Sequence, residues 1–263
     1  MKKTLLSTSL TILSFSAFSA PKADLWPYWD KNNDTSSTTI SHQTWQSLLD
    51  RYLIKEGENT LFDYDAVTDE DQKILDNYLK DLTSLNPLSY SKEEQFAYWV
   101  NLYNSLTVDL ILENYPIKSI RKIGGFFGSG PWNDEITEIN NKELTLNDIE
   151  HRILRPIWKD ERIHYAVNCA SYGCPNLHPM AFTSDNTEKL LEESAVAFIN
   201  SDKGVLIKGG NVQLSTIFDW YSVDFGKNEK EVLQYLSKYK EELKYFHGDI
   251  SYEYNWDLNQ PQK

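Results

Sequence analysis

Residues 162–175, RIHYAVNCASYGCP, are the stretch around which this 263-residue chain is organised. They hold both cysteines of the protein, Cys169 and Cys174. We interpret residues 162–168 as a central strand whose side chains alternate between two faces and which carries His164. A loop with the two sulfurs follows. Because loops on a rigid scaffold hold reactive groups exposed, the sequence predicts a functional site here.

Short helices and strands alternate through the rest of the chain. Ser91 and Glu94 form a capping box that starts the longest helix, predicted over residues 91–114. That helix is apolar on most sides, so we expect it to be buried at the centre. Amphipathic helices are predicted over residues 41–56, 69–82, 146–154, 187–200 and 229–239. Hairpins are predicted over residues 136–144 and 205–214, and a last strand over residues 250–256.

The order of these elements predicts the fold class. They do not follow the regular βαβ spacing of a parallel sheet. We therefore expect a single-domain α+β protein with a central buried helix, several amphipathic helices and a small, mainly antiparallel sheet.

The first 20 residues are typical of a secretory signal, with Lys2 and Lys3 before an apolar run and small residues for cleavage. The run is short for a membrane span. We therefore expect a periplasmic or secreted protein with no membrane association after cleavage. An uncleaved anchor is the alternative. Residues 21–40 would then be a linker, and residues 41–263 one globular domain.

The charge balance limits the possible partners. The chain has 26 Lys and Arg against 39 Asp and Glu, a formal net charge of −13. Nucleic acids and anionic membranes require clustered Lys and Arg, so we expect neither as a partner. The acidic surface is explained by solubility. The remaining class of partner is a small-molecule or peptide substrate.

A cysteine acyl-transfer site is the first hypothesis for the chemistry. Such a site needs a thiolate, a base within reach and a group that orients the base. Cys169, at the end of the predicted strand, is the candidate nucleophile. His151 on the preceding helix is the candidate base, with Glu150 or Asn101 beside it. His164 belongs to the same candidate set, although strand alternation could place it on the opposite face. This predicts a thiol-dependent hydrolase or acyltransferase resembling a peptidase, amidase or transglutaminase.

A structural disulfide between Cys169 and Cys174 is the competing interpretation. A turn between them could bring the sulfurs to bridging distance, and an exported chain favours oxidation. Closing so short a loop would contribute only about 2 kcal/mol, so the bond would shape the loop more than hold the fold.

The protein would then be a non-catalytic periplasmic binding module. Arg155 and Arg162 could bind a carboxylate or sugar acid, with Trp99, Trp132 and Tyr103 as walls. Alternatively, the two arginines could pair with acidic residues inside the fold.

Asn101, Tyr103 and Asn104 on the long helix complete the candidate binding set. Buried asparagines must find partners, so we expect Asn101 and Asn104 to hold neighbouring loops, and substrate contact is the second interpretation.

Metal and cofactor binding have weaker signals. Cys169, Cys174 and His178 with a distant histidine could hold zinc, but the spacing matches no standard motif, so no metal site is expected. A glycine-rich loop over residues 124–130 lacks the Lys-Ser/Thr of a phosphate cradle, so we expect no cofactor. We expect a flexible loop, and a mobile flap over a cleft is the alternative. His42 lacks any supporting context and is expected at the surface.

Three segments resemble a known family, the domain of unknown function 547. They are residues 98–104 (YWVNLYN), 146–155 (LNDIEHRILR) and 162–175, and the closing residues 256–259 (WDLN) also resemble it. The resemblance covers about residues 91–200 and the C-terminus. It departs from the family at Gly173, where a serine would be expected.

What the resemblance implies is a set of site residues. The family is largely uncharacterised, so no reaction follows from it. The residues that it implies are Glu150, His151, Arg155, Arg162, His164, Cys169 and Cys174.

Overall fold

The computed structural model describes residues 21–124 and 130–262. The predicted signal, residues 1–20, and most of the predicted glycine-rich loop lie outside these residues.

The helices are α1 Gln43–Tyr52, α2 Asp69–Ser84, α3 Lys92–Asn114, α4 Arg155–Trp158, α5 Ile163–Ala166, α6 Thr187–Asn200, α7 Ile217–Trp220, α8 Ser222–Phe225 and α9 Glu229–Leu236. The strands are β1 Leu53–Glu56, β2 Asn59–Phe62, β3 Thr137–Ile139, β4 Lys142–Leu144, β5 Val205–Lys208, β6 Asn211–Ser215 and β7 Ile250–Glu253. The predicted α+β class is confirmed.

The long helix α3 is the centre of the larger hydrophobic core, as predicted. The Ser91 side chain accepts a hydrogen bond from the backbone N–H of Glu94 at 3.2 Å and caps the helix. Around most of its circumference α3 is buried, and Trp99 packs edge-on against Trp29 with ring centroids 5.2 Å apart. Trp29 is itself fully buried, so part of the predicted linker over residues 21–40 belongs to the core.

The strands form small sheets, and the pairs β1–β2, β3–β4 and β5–β6 are antiparallel while β6–β7 is parallel. The predicted hairpin turns are confirmed. Asn140 and Asn141 between β3 and β4 have φ values of 52° and 55°, and Gly209 and Gly210 between β5 and β6 have 61° and 82°. Positive φ at both central residues is the geometry of a type I′ hairpin turn.

The first helix is shorter than predicted. It ends at Tyr52, and Leu53–Glu56 leave the helix to pair with β2. Gly57 has a φ of +58°, which permits the tight turn between the two strands. The helical pattern of buried residues therefore stops one turn before Gly57.

The prediction of a central strand over residues 162–168 is wrong. Residues Ile163–Ala166 form the one-turn helix α5, with all four residues buried. Asp160 starts the turn, because its Oδ1 accepts from the backbone N–H of Arg162 at 2.9 Å. A helical turn buried on every side shows no 3.6-residue pattern, so its sequence resembles that of a buried strand. His164 consequently does not lie on a sheet face.

Two hydrophobic cores meet at α5. Ile163 and Ala166 belong to the larger core around α3, whereas Tyr165 belongs to a second core. The second core is formed by α6, the β5–β6–β7 sheet and the helices α7 to α9. After α5 the chain returns to the larger core, to which Val167 and Ala170 belong.

The segment before α4 is a π-helix over Asp148–Leu154 rather than the predicted α-helix. Thr145 and Asp148 cap it reciprocally, since each side chain accepts from the other's backbone N–H at 3.0 Å. Pro156 has no N–H, so the carbonyls four and five residues before it lack a helical partner. Those carbonyls, of Arg152 and His151, accept instead from Trp26 and Asp24 at 3.0 Å each. The N-terminal segment is thereby fixed against the π-helix.

Candidate functional site

A cleft of about 380 Å³ opens between the π-helix, the cysteine loop and the C-terminal segment. Its lining is predominantly aromatic and apolar, and includes a few titratable groups. The lining residues are Pro21, Tyr103, Arg121, Trp132, Asn133, Asn147, Glu150, His151, His164, Val167, Cys169, Cys174, Pro175, Ile217, Trp220, Tyr221, Tyr254 and Trp256.

The fold brings the predicted catalytic residues together in this cleft. Glu150 and His151 come from the π-helix, His164 from α5, and Cys169 from the loop that follows. Tyr103 of α3 also lines the cleft. Side chains from three distant segments of the sequence therefore share one cavity.

Asn101 and Asn104 hold loops, as expected from their burial. Asn101 donates to the carbonyl of Phe182 at 2.8 Å and accepts from its N–H at 3.0 Å. Asn104 donates to the carbonyl of Ala166 at 2.9 Å and accepts from the N–H of Asn168 at 2.8 Å. Both amides are occupied by backbone groups, and Asn104 positions the segment that leads into Cys169.

Cys169 and Cys174 are free thiols in this structure. Their sulfurs lie 2.7 Å apart, whereas a disulfide bond is about 2.05 Å long. The backbone N–H of Cys169 also donates to the sulfur of Cys174 at 2.9 Å. The bridge proposed as the alternative is therefore not formed here, although the turn does bring the sulfurs together.

Gly173 permits this turn to pack against the C-terminal segment. Its N–H donates to the carbonyl of Asn255 at 2.8 Å, and a Cβ at this position would lie 2.7 Å from the backbone nitrogen of Asn255. That approach is too close for any side chain, which explains why a glycine stands where the family pattern suggests serine.

Hydrogen bonds to Cys169 favour its thiolate. Its sulfur lies 3.1 Å from the hydroxyl of Ser171 and 3.1 Å from that of Tyr254, in addition to the contact with Cys174. Burial alone would raise the pKa of Cys169, but these donors lower it to about 7. A partly exposed thiol with such a pKa is substantially ionised near neutrality.

Cys174 has the opposite character. Burial, together with the negative charge of Cys169, raises the pKa of Cys174 well above the ordinary thiol value. It is more deeply buried than Cys169. Cys174 is therefore the thiol that donates its proton to the thiolate of Cys169.

A buried ionic network lies beside the sulfurs. Nε2 of His164 lies 2.7 Å from Oδ2 of Asp224, and Nδ1 of His164 lies 3.4 Å from Oε1 of Glu150. Nε of Arg155 also lies 2.7 Å from Oδ2 of Asp224. Two carboxylates therefore balance His164 and Arg155, which makes the network neutral when His164 is protonated.

The pKa values follow from this arrangement. Burial would raise the pKa of Glu150, yet His151, which is protonated only in acid, and His164 lower it to about 2. Burial would also raise the pKa of Asp224, yet hydrogen bonds from His164 and Arg155 lower it to about 2. Burial would lower the pKa of His164, but its hydrogen bonds to the two carboxylates raise it. His151, in contrast, is held neutral because burial lowers its pKa to about 4.

Of the other predicted binding residues, Trp132 lines the cleft, whereas Arg155, Arg162 and Trp99 do not. Arg162 binds Oδ2 of Asp160 at 2.7 Å and Oε1 of Glu188 at 2.7 Å, outside the cleft. Arg155 forms hydrogen bonds with His151 and Asp224. Trp99 is fully buried in the larger core. Pairing of both arginines with acidic side chains is the alternative that the structure shows.

His178 does not join the cysteines. Its Nδ1 accepts from the N–H of Met180 at 3.0 Å, and its Nε2 lies 3.6 Å from Oε2 of Glu193. Within residues 21–124 and 130–262, no cluster of three or more His, Cys, Asp or Glu side chains is arranged to hold a metal ion.

Aromatic rings form one wall of the cleft. Trp256 lies between Trp132 and Trp220, with ring centroids 5.7 Å and 5.5 Å away, and Tyr254 lies 4.6 Å from Trp256. We call these four residues the aromatic wall. The hydroxyl of Tyr254 connects this wall to the sulfur of Cys169.

The sequence alone did not identify several of the site residues. Ser171 stands between the cysteines, and Tyr254 and Trp256 lie two residues apart near the C-terminus, in a stretch for which the sequence predicts only a strand. The period-two aromatic spacing could have indicated one shared face. Asp224 has no local signal, because its role depends entirely on where α8 packs against α5.

Together these features define an α+β protein with a cysteine-containing cleft. Residues 87–199 match the family described as "Protein of unknown function, DUF547", which confirms the resemblance of this part of the chain. No curated protein and no solved structure matches the chain. Across the residues that the structure describes, helices long and apolar enough to cross a membrane are absent.

Proposed function

We propose that this protein is a thiol-dependent acyl-transfer enzyme, a hydrolase or acyltransferase, with Cys169 as its nucleophile. The observation that carries the proposal is the partly exposed Cys169 sulfur, whose pKa is lowered to about 7, in a cleft also lined by Glu150, His151 and His164. Thiolates are the reactive form of cysteine. A thiolate near neutral pH beside hydrogen-bond donors is suited to attack a carbonyl carbon.

The aromatic wall suits a substrate whose acyl group is apolar or aromatic, because that group would bind next to the sulfur of Cys169. Stacked rings provide apolar contact area and a fixed orientation. Trp256 is the central ring of the wall.

The experiment is acylation by p-nitrophenyl acetate at neutral pH. We expect a burst of p-nitrophenolate equal to the protein concentration and an acetyl group on Cys169 by peptide mass spectrometry. Cys169→Ala should abolish both signals. Cys174→Ser keeps a hydroxyl donor beside Cys169 and serves as the matched control that still acylates. Acetylation spread over lysines, with no burst, would contradict the proposal.

A non-catalytic binding module is the second candidate, favoured by the aromatic wall. Its ligand would contact the rings of that wall, because Arg155 and Arg162 are occupied in ion pairs. In that case an aromatic ligand would quench tryptophan fluorescence equally in the wild-type protein and in Cys169→Ala. No acyl group would be transferred in either protein.

We also propose export to the periplasm or the medium. Lys2 and Lys3 followed by an apolar run support this. Cell fractionation and sequencing of the mature N-terminus test it. An intact Met1 on cytoplasmic protein would refute the proposal.

A further inference from the structure

The two histidines of the cleft contact different kinds of atoms. Both ring nitrogens of His164 face carboxylate oxygens, of Asp224 at 2.7 Å and of Glu150 at 3.4 Å. Since carboxylates accept hydrogen bonds, both nitrogens of His164 carry protons. The Nδ1 atom of His151 instead lies 3.0 Å from Nη1 of Arg155. A guanidinium can only donate.

The contact with Arg155 determines where the proton of His151 lies. Nδ1 of His151 must present its lone pair to the guanidinium, so the single proton of the neutral ring is on Nε2. In a doubly protonated ring, Nδ1–H of His151 and Nη1–H of Arg155 would both be donors and could not form a hydrogen bond. Oε1 of Glu150 is 3.8 Å from Nδ1 of His151, beyond hydrogen-bond distance, and therefore does not compete.

Surrounding contacts keep this arrangement in place. Nε of Arg155 donates to Oδ2 of Asp224 at 2.7 Å, and Nη1 donates to the carbonyl of Pro21 at 2.9 Å. The ring of His151 packs on Tyr221 with centroids 5.6 Å apart. Because Nδ1 is occupied by Arg155, Nε2 is the ring nitrogen available to the cleft that His151 lines.

We infer that His151 is a hydrogen-bond donor to the carbonyl oxygen of the substrate through Nε2–H, and not the base that deprotonates Cys169. This deepens the proposed function and rests on it for the identity of the acceptor. It also replaces the role predicted for His151 from the sequence. The thiolate of Cys169 is stabilised instead by Ser171, Tyr254 and Cys174.

The reaction step is balanced as follows. The thiolate of Cys169 adds to the carbonyl carbon, and the carbonyl π electrons move to oxygen, where Nε2–H of His151 donates to the oxyanion. Collapse of the adduct breaks the bond to the leaving group, which departs with the electron pair and leaves a thioester on Cys169. With no imidazole free to return a proton, leaving groups stable as anions are favoured. The substrate class is therefore esters or thioesters rather than amides.

Nitrogen NMR of protein labelled with ¹⁵N-histidine tests the proton position directly. His151→Gln assigns the resonances. We expect Nε2 protonated and Nδ1 unprotonated between about pH 6 and pH 8, spanning the ordinary histidine pKa. Protonated Nδ1, or titration of the ring within this range, would overturn the inference. This readout needs no substrate, so it decides the inference even if Cys169 transfers no acyl group.

Acylation by p-nitrophenyl acetate separates the donor role from the base role. His151→Gln retains an N–H near the position of Nε2, whereas His151→Leu does not. We expect acylation of Cys169 to fall on the order of a hundredfold in His151→Leu and by about tenfold or less in His151→Gln. Equal losses in the two variants would contradict the donor role. Circular dichroism of both variants confirms that the comparison is between folded proteins.

Discussion

The hydroxyl of Tyr254 lies 3.1 Å from the sulfur of Cys169, although 85 residues separate them in the chain. Tyr254 follows β7, far beyond residues 87–199, the part of the chain that matches the family. The same hydroxyl lies 2.7 Å from that of Ser171. The C-terminal segment thus completes the environment of the reactive sulfur.

Tyr254→Phe should raise the pKa of Cys169 by about one unit, because a hydrogen bond to a charged group contributes about 1.5–3 kcal/mol. The measurement is the pH dependence of iodoacetamide alkylation. Tyr252→Phe is the matched control, since the hydroxyl of Tyr252 lies 3.4 Å from Oε1 of Glu229 instead. An unchanged midpoint in Tyr254→Phe would show that the hydroxyl does not stabilise the thiolate.

Asn104→Ala should lower the free energy of unfolding by about 3 kcal/mol, because it leaves the carbonyl of Ala166 and the N–H of Asn168 buried without partners. Chemical denaturation measures the change. Asn114 on the same helix is exposed and bonds only the carbonyl of Leu110. Asn114→Ala should change stability by at most about 0.5 kcal/mol. Equal losses in the two variants would show that Asn104 does not hold the loop.

Asp224→Asn should lower the pKa of His164, because it removes the carboxylate that lies 2.7 Å from Nε2. The variant should also lower the free energy of unfolding by about 3 kcal/mol, because buried His164 and Arg155 both lose the carboxylate with which they form ion pairs. Titration of the His164 ring by NMR and denaturation measure the two effects. Exposed Asp219 on α7 provides the control Asp219→Asn, for which neither change is expected.

The pH dependence of this ion pair has a definite sign. The pKa of His164 is raised in the folded protein. The stability that protonated His164 contributes to the fold is therefore fully present below the pKa of the unfolded chain, about 6.5. The contribution is lost as the pH rises through the raised folded pKa. Asp224→Asn should reduce this alkaline component of the stability profile, because Glu150 is then the carboxylate that remains beside His164. A profile identical to that of the wild-type protein would argue against the ion pair.

His42 should make the protein sensitive to acid. It is buried rather than exposed as the sequence suggested, and its Nδ1 lies 2.7 Å from the hydroxyl of Tyr78. Burial lowers its pKa to about 4, so the unfolded chain binds the extra proton between about pH 6.5 and pH 4. Stability should therefore fall as the pH decreases through this range, by at most about 3 kcal/mol for this residue.

The comparison variant is His42→Phe. Its unfolding free energy should depend less steeply on pH between about pH 6.5 and pH 4 than that of the wild-type protein. Identical slopes in the two proteins would show that His42 is not protonated on unfolding.

Elements with strong local signals were predicted well from the sequence. The capping box at Ser91, the buried interior of α3 and the hairpin turn at Asn140 and Asn141 depend on neighbouring residues. The α6 boundaries, Thr187–Asn200, were predicted without error because the apolar spacing is regular.

Features that depend on tertiary contacts were missed. The helix α5 is buried on every side and therefore shows no periodicity. The π-helix at Glu150 and His151 is accommodated by backbone hydrogen bonds from Asp24 and Trp26, far away in the sequence. The tautomer of His151 follows from Arg155, one turn later, but only the three-dimensional geometry shows which nitrogen it contacts.

The ionisation of Cys169 is the most direct test of the proposed site. Alkylation by iodoacetamide, followed residue by residue by mass spectrometry across a pH series, should give a midpoint of about 7 for Cys169. Cys174 should react far more slowly at every pH, because burial and the neighbouring thiolate raise its pKa. A Cys169 midpoint at the ordinary thiol value of about 8.5 or higher, or faster alkylation of Cys174, would contradict the account.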